Sequence, residues 1–448
     1  RMPWSALIVL AAACLLLAGC GDLPLLGTVR AAVLGPPDAV YVTPDGTGSG
    51  YAASEPMSDI STALQVAGEW GAAEVRVAEG EYPVPGGINL SPGVSLLGGF
   101  SRDFSARDRD VYESRLTASL GTGQDGFIAS GSEFTQATAI EGITFAYQVS
   151  GEPVDGGWQF FAVLTIEDGA SLSVRHNRFE LYNTVTRNEA APDRDFSVYV
   201  IGINAPGDPY YTETYLEFNE IWLKSDGSDF PATALYVNNT DPGSQVVLDG
   251  NRFTVNSYEC DAIVMEVGRV DGGFLMRNTT VHTLATCAGA AVSISTPAAI
   301  VSHNTIVSLN HGLDAVGLYG EDGSPAYAVN NIVAGGGSGY AISGSNTEIE
   351  GNLVFNFGEG LDSGLTDLGS NDVYSENLFE SVFAGARDTD LDDGDHTDFH
   401  LSDPDGLYAV DHGVPSGAAE AGSVGTDFEG DARPQGSAVD RGADEKVP

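Results

Sequence analysis

The stretch VSHNTIVSL, residues 301–309, sets His303 and Asn304 inside a run of β-branched residues. Both side chains can bind metals, move protons or hold substrates. The chain also carries 63 acidic residues, so a pair of carboxylates for general acid and base work is easily found and by itself discriminates nothing. One acidic run, DTDLDDGDHTD at 388–398, spaces Asp388, Asp390 and Asp392 as calcium ligands would be. Gly394 falls one place late for an EF-hand loop, and the closing Glu is absent, so only a looser Ca²⁺ loop fits. No G-x-S-x-G, H-E-x-x-H or G-x-x-x-x-G-K-[ST] occurs, which leaves serine-hydrolase, zincin and P-loop chemistry without support.

Composition narrows the partners. The net charge is −44, with only two lysines, Lys224 and Lys446. A surface this negative repels nucleic acid and anionic headgroups, so no nucleic-acid partner is expected. Such acidity suits solubility outside the cell or Ca²⁺ binding, and Ca²⁺ is the one cofactor it suggests. The segment MPWSALIVLAAACLLLAGCG, residues 2–21, resembles a bacterial lipoprotein signal peptide whose Leu17-Ala18-Gly19-Cys20 would leave a lipidated Cys20. The resemblance implies a signal over 1–19, a tether over 20–37, and a protein anchored in the bacterial cell envelope facing the periplasm or exterior. Its contact with the membrane would be the lipid alone.

The elements that must position any site come from a repeat. An apolar–Asn–apolar unit recurs at Asn177, Asn219, Asn251, Asn278, Asn304, Asn331 and Asn352, with spacings of 42, 32, 27, 26, 27 and 21. Around Asn278 each period holds three short strand-like runs, DAIVMEV, GFLMR and TTVHT. Three strands in roughly 26 residues is the arithmetic of a parallel β-helix, each strand pairing with its counterpart one turn away, roughly 4.8 Å off. The glycine content, 57 residues, suits the many turns. CDAIVMEV and CAGAAVSI place Cys260 and Cys287 at one position of successive turns. In an oxidising compartment that pair predicts a disulfide. SDISTALQVAGEW carries Ile60, Ala63, Leu64 and Ala67 at helical spacing after Ser58, and predicts an amphipathic helix, N-capped by Ser58, lying over the first turn.

Residues 40–67 and 74–108 resemble the opening of bacterial right-handed parallel β-helix proteins of the pectin-lyase-like fold. AVDHG at 409–413 and GTDFEGDARPQGSAVDRGADE at 425–445 resemble the choice-of-anchor segment that closes many of them. The fold class expected is therefore all-β, a right-handed single-stranded parallel β-helix over 38–382 with an N-terminal capping helix, followed by an acidic capping segment over 383–448. A monomer is expected.

In that family the asparagine turn follows the second strand, and polysaccharide binds the outer face of the first sheet. The resemblance then assigns 234–238, 262–267, 291–295 and 315–320 to that sheet. Alternation points Ile263, Met265 and Val267 inward and leaves Glu266 and Ser293 outward. With Tyr236 before and Tyr319 after, they form an outward column suited to stacking on sugar rings and binding hydroxyls. Tyr210 and Tyr211, on a long loop, are further ligand candidates. Glu266, Asp261 and Asp314 are the carboxylates best placed for catalysis if the chain is a hydrolase. A Ca²⁺-dependent lyase is disfavoured, because Lys224 sits in an insertion and no acid cluster with a paired base is found. The expectation is a cell-surface β-helix that binds polysaccharide or is structural or adhesive, with a polysaccharide-degrading enzyme as the alternative.

Overall fold

A computed structural model describes residues 34–384 except 122–123, 136, 153–158, 187–195, 204–211, 226–231, 240–242, 258–261, 271–272, 286–289, 310–313, 322 and 337. Residues 28, 31–32, 400–402, 408–410, 412–414, 426–427, 431–433 and 440–444 are also described. Cys20, Tyr210, Tyr211, Cys260, Asp261, Cys287, Asp388, Asp390 and Asp392 lie outside the described residues.

The strands form three wholly parallel sheets of twelve, eleven and nine strands, here sheets A, B and C, which the chain visits in the order A, B, C on each turn. Ser173–Arg175, Arg178–Val185 and Phe196–Ile203 make one such turn. The chain is a parallel β-helix. Alternation drives it. Arg178–Val185 buries every second residue, and so does Glu220–Ser225. In-register pairing then stacks like on like: Phe145, Phe179, Ile221, Phe253, Val281, Ile306, Val333 and Val354 form one inward column of sheet B. Phe145 and Phe179 stack with ring centres 4.8 Å apart and planes 7° apart. Each buried ring contributes roughly 1.5–3 kcal/mol by leaving water.

Sheet A passes to sheet B through a two-residue turn. Its first residue has positive φ, as at His176 (55°), Phe218 (54°), Gly250 (66°), Asn278 (49°), His303 (55°) and Asn330 (55°). Glycine is favoured at 250 for a second reason: a Cβ there would stand 2.5 Å from the Phe218 ring. The second residue of the turn carries the asparagine ladder. The Asn177 amide Nδ2 donates to Oδ1 of Asn219 at 3.1 Å, and Asn219 donates likewise to Asn251 at 3.0 Å. Asn304, Asn331 and Asn352 continue the pattern, and Asn352 donates to Asn371, a further member. Each amide also donates to a buried backbone carbonyl, Val301 O in the case of Asn331. The ladder satisfies polar backbone that would otherwise be orphaned inside the solenoid.

Asn278 is not in the ladder. It holds the positive-φ place, and Thr279 stands where the ladder asparagine would be, between Asn251 and Asn304. The Asn278 amide instead donates to Asp249 Oδ1 and to the carbonyl of Thr426.

The helix Ile60–Trp70 packs its apolar face against the strands Ala39–Val42, Glu74–Ala78 and Ile88–Asn89. Its N-cap is Asp59, whose carboxylate accepts from Thr62 N at 2.6 Å, so the expectation of Ser58 is one residue early. Gly71 closes it with φ 75°.

The later part of the chain folds back on the solenoid. Leu378, Phe379, Val382, Phe383, Leu401 and Ala409 cover an apolar patch on the outward face of sheet B made by Val307, Ile332, Ala334, Leu353 and Phe355. Asn330 exchanges hydrogen bonds with the backbone of Val414, and Gly442 N donates to Asn330 O. Arg441, almost wholly buried, pairs with Asp372 at 2.6 Å and donates to Ser370 O. Arg433 donates to the carbonyls of Asp440 and Gly442 and serves this packing.

Candidate functional site

On the outward face of sheet C three of the four residues expected in the column, Tyr236, Glu266 and Ser293, stand side by side. Pairing sets Tyr236 beside Glu266 and Glu266 beside Ser293. Met265 and Val267 point into the core beside Val292 and Ile294, while Glu266 stands out exposed. Ser293 pairs with Gly317, and Tyr319 pairs with Ser295, so Tyr319 lies two residues further along the strand than expected. Its ring nevertheless leans back over Gly317, where a Cβ would meet Cε2 at 3.2 Å. Tyr319 is 38% exposed.

Tyr199 completes the face and was not anticipated. Its ring stacks on Tyr236 with centres 4.7 Å apart and planes 20° apart, and it is itself buried. Burial pushes its phenol up to about 12. Tyr199 therefore acts as a backing plate that orients the half-exposed Tyr236, whose hydroxyl is hydrogen-bonded to the side chain of Asn238. Glu266 is exposed by area, yet the protein around its carboxyl removes enough water to push its pKa up. Asp314 is committed elsewhere: its carboxylate accepts the backbone N–H of Tyr340 at 2.9 Å. No group of three or more His, Cys, Asp or Glu side chains among the described residues is placed to hold a metal. Among them, too, no helix is long and apolar enough to cross a membrane.

Two clefts lie elsewhere. One, of about 520 Å³, opens at the A-to-B turn beside Arg109, His176, Arg178 and Phe218. His176 stacks on Phe218 at 5.1 Å, and burial, reinforced by the Arg109 charge, lowers its pKa to about 4. His303 occupies the same place four turns on. It is buried, accepts from the Asn330 amide through Nε2 at 3.1 Å, and is held by desolvation at about 3, so it is structural. The other cleft, of about 530 Å³, lies on the outward face of sheet B. Of its lining, Glu180, Tyr182 and Trp222 were legible in the alternation of RFELYNTV and EIWLKS, which sets them outward beside Arg178, Glu220 and Lys224.

The fold thus defines the class, a parallel β-helix solenoid with solvent-facing sheets that could carry a ligand. Comparison of the chain with protein-family models, curated proteins and solved structures finds no match.

Proposed function

We propose that this is a polysaccharide-binding β-helix of the bacterial cell surface, of pectin-lyase-like type and lipid-anchored through Cys20. The observation that carries the binding reading is the Tyr199–Tyr236 stack beside Glu266 on sheet C. A half-exposed ring fixed by a buried one is a low-entropy platform for the apolar face of a sugar, and the adjoining carboxyl and Ser293 hydroxyl can take its hydroxyls. The resemblance of both chain ends to secreted β-helix proteins, and of 2–21 to a lipoprotein signal, supports the location. Screening the protein against soluble polysaccharides, with Tyr236→Ala alongside, tests this. Retardation of at least one polysaccharide that is lost in Tyr236→Ala is expected; binding unaffected by that change would refute the assignment to sheet C.

One observation favours a second reading. A carboxyl raised by desolvation is what a general acid for glycoside cleavage requires, and Glu266 has it. Reducing-end release measured in the same screen, abolished in Glu266→Gln, would mark an enzyme.

A further inference from the structure

The cleft on sheet B has the build of a binding site in its own right. Its floor is made of small side chains, Thr117 and Ala146, paired strand to strand. The same row continues into Glu180 and then Trp222, so the floor rises into a carboxylate and an indole. Tyr182 and Lys224 form the neighbouring pair, with the Lys224 ammonium 5.8 Å from the centre of the Tyr182 ring. From the far side Arg115 reaches over two strand spacings, roughly 9.6 Å, to meet Glu180 at 2.5 Å. Arg178 pairs with the other oxygen of the same carboxylate at 2.8 Å.

Each part has a chemical consequence. Small floor residues leave volume, and 530 Å³ lies within the range of about 300–1,000 Å³ typical of small-ligand sites. The two guanidiniums fix Glu180 in place, so its remaining lone pairs and those Arg115 N–H groups not spent on Glu180 and Glu113 present an acceptor and donors side by side. That alternation matches vicinal hydroxyls. Trp222, half-buried, offers an apolar wall that a sugar ring can stack on. The mixture of Arg115, Glu180 and Gln148 is too polar for the apolar chain packing that covers the late turns of the same sheet.

We infer that the sheet B cleft between Arg115, Glu180 and Trp222 is a saccharide-binding site, taking a short stretch of uncharged glycan. It is separate from the sheet C column and does not depend on it. Two sites on different sheets would let one molecule hold two chains, or one chain twice.

The test is a titration of the purified protein with cellohexaose, chitohexaose, xylohexaose and mannohexaose, followed by tryptophan fluorescence and calorimetry. At least one hexaose is expected to bind with a shift in emission. Trp222→Ala should weaken it about tenfold or more, while Tyr236→Ala leaves it within twofold. Ala146→Leu, which fills the floor without removing any polar group, serves if Trp222→Ala fails to fold, and should weaken binding similarly. Absence of binding by all four at 5 mM, or wild-type affinity in a folded Trp222→Ala or Ala146→Leu protein, overturns the inference. Loss in Tyr236→Ala alone would keep the sheet C site and remove this one.

Discussion

Asn331 offers the sharpest test of how the solenoid is held together. Its side chain takes part in four hydrogen bonds: Nδ2 donates to Val301 O and to Asn352 Oδ1, both at 2.9 Å, and Oδ1 accepts from Asn304 N and Asn304 Nδ2, both at 3.0 Å. It is 1% exposed, so water cannot replace any partner. Asn331→Ala removes all four and strands a buried backbone N–H and a buried carbonyl. At about 0.5–1.5 kcal/mol per net bond, with the extra cost of unsatisfied buried groups, the loss should be about 3–5 kcal/mol. Urea unfolding followed by circular dichroism reads it as a lower midpoint. A solenoid can also lose its turns in blocks, so the transition should lose its late part first if the turns beyond Asn331 become uncoupled. A shift worth less than about 1 kcal/mol would refute the view that the ladder is a principal internal fastening.

Further expectations follow from the same geometry. Thr279→Asn should raise the urea midpoint by the equivalent of about 1–2 kcal/mol, because it supplies Asn251 with the carbonyl acceptor that other ladder members have; an unchanged or lower midpoint would show that the site cannot admit the amide. Phe179→Ala, deleting a ring stacked on Phe145 in the core, should cost about 3–5 kcal/mol in the same assay. His303 stays neutral in the folded chain down to about pH 3, whereas the unfolded chain takes up its proton near pH 6.5. Stability is therefore lost as pH falls between those values, by about 2–3 kcal/mol at pH 4.5. His303→Asn, which tolerates the positive φ, should flatten that part of the pH–stability curve, and an identical slope would refute the assignment. A chain ending at residue 384 loses Leu401, Ala409 and Arg441 from the late turns and should bind the dye ANS more strongly than the full chain.

The parallel solenoid was legible because its evidence is periodic: one Asn-bearing turn per coil and strict alternation in the strands. Errors arose where residue identity and residue position part company. In RNTTV the asparagine tolerates the positive-φ place, so it sits there, and the ladder place falls to Thr279. In AVGLYG the tyrosine was set in the column after Ser293, whereas the shared Ala-Val sets Gly317 opposite Ser293. Tyr199 was hidden because Tyr199, Val200 and Ile201 are all buried in succession, which breaks the two-residue period. The sheet B cleft needed no new signal, only the same alternation applied to a second sheet. Which loops flank either site depends on segments whose sequences carry no periodicity to read.

The return of the chain onto its own coil sets an order of assembly. Neighbouring strands of sheet B are joined across some 19–42 residues, whereas Ala443 N meets Thr305 Oγ1 across 138 and the Asn278 amide meets Thr426 O across 148. Closing the longer loops costs more entropy and rewards nothing until the coil beneath already exists. During synthesis the coil can therefore wind behind the emerging chain, while the greasy outer flank of its late turns waits for residues not yet made. Leu401, Ala409 and Arg441 act as a latch set last, and a molecule interrupted before them would carry a sticky flank by which quality control can know it.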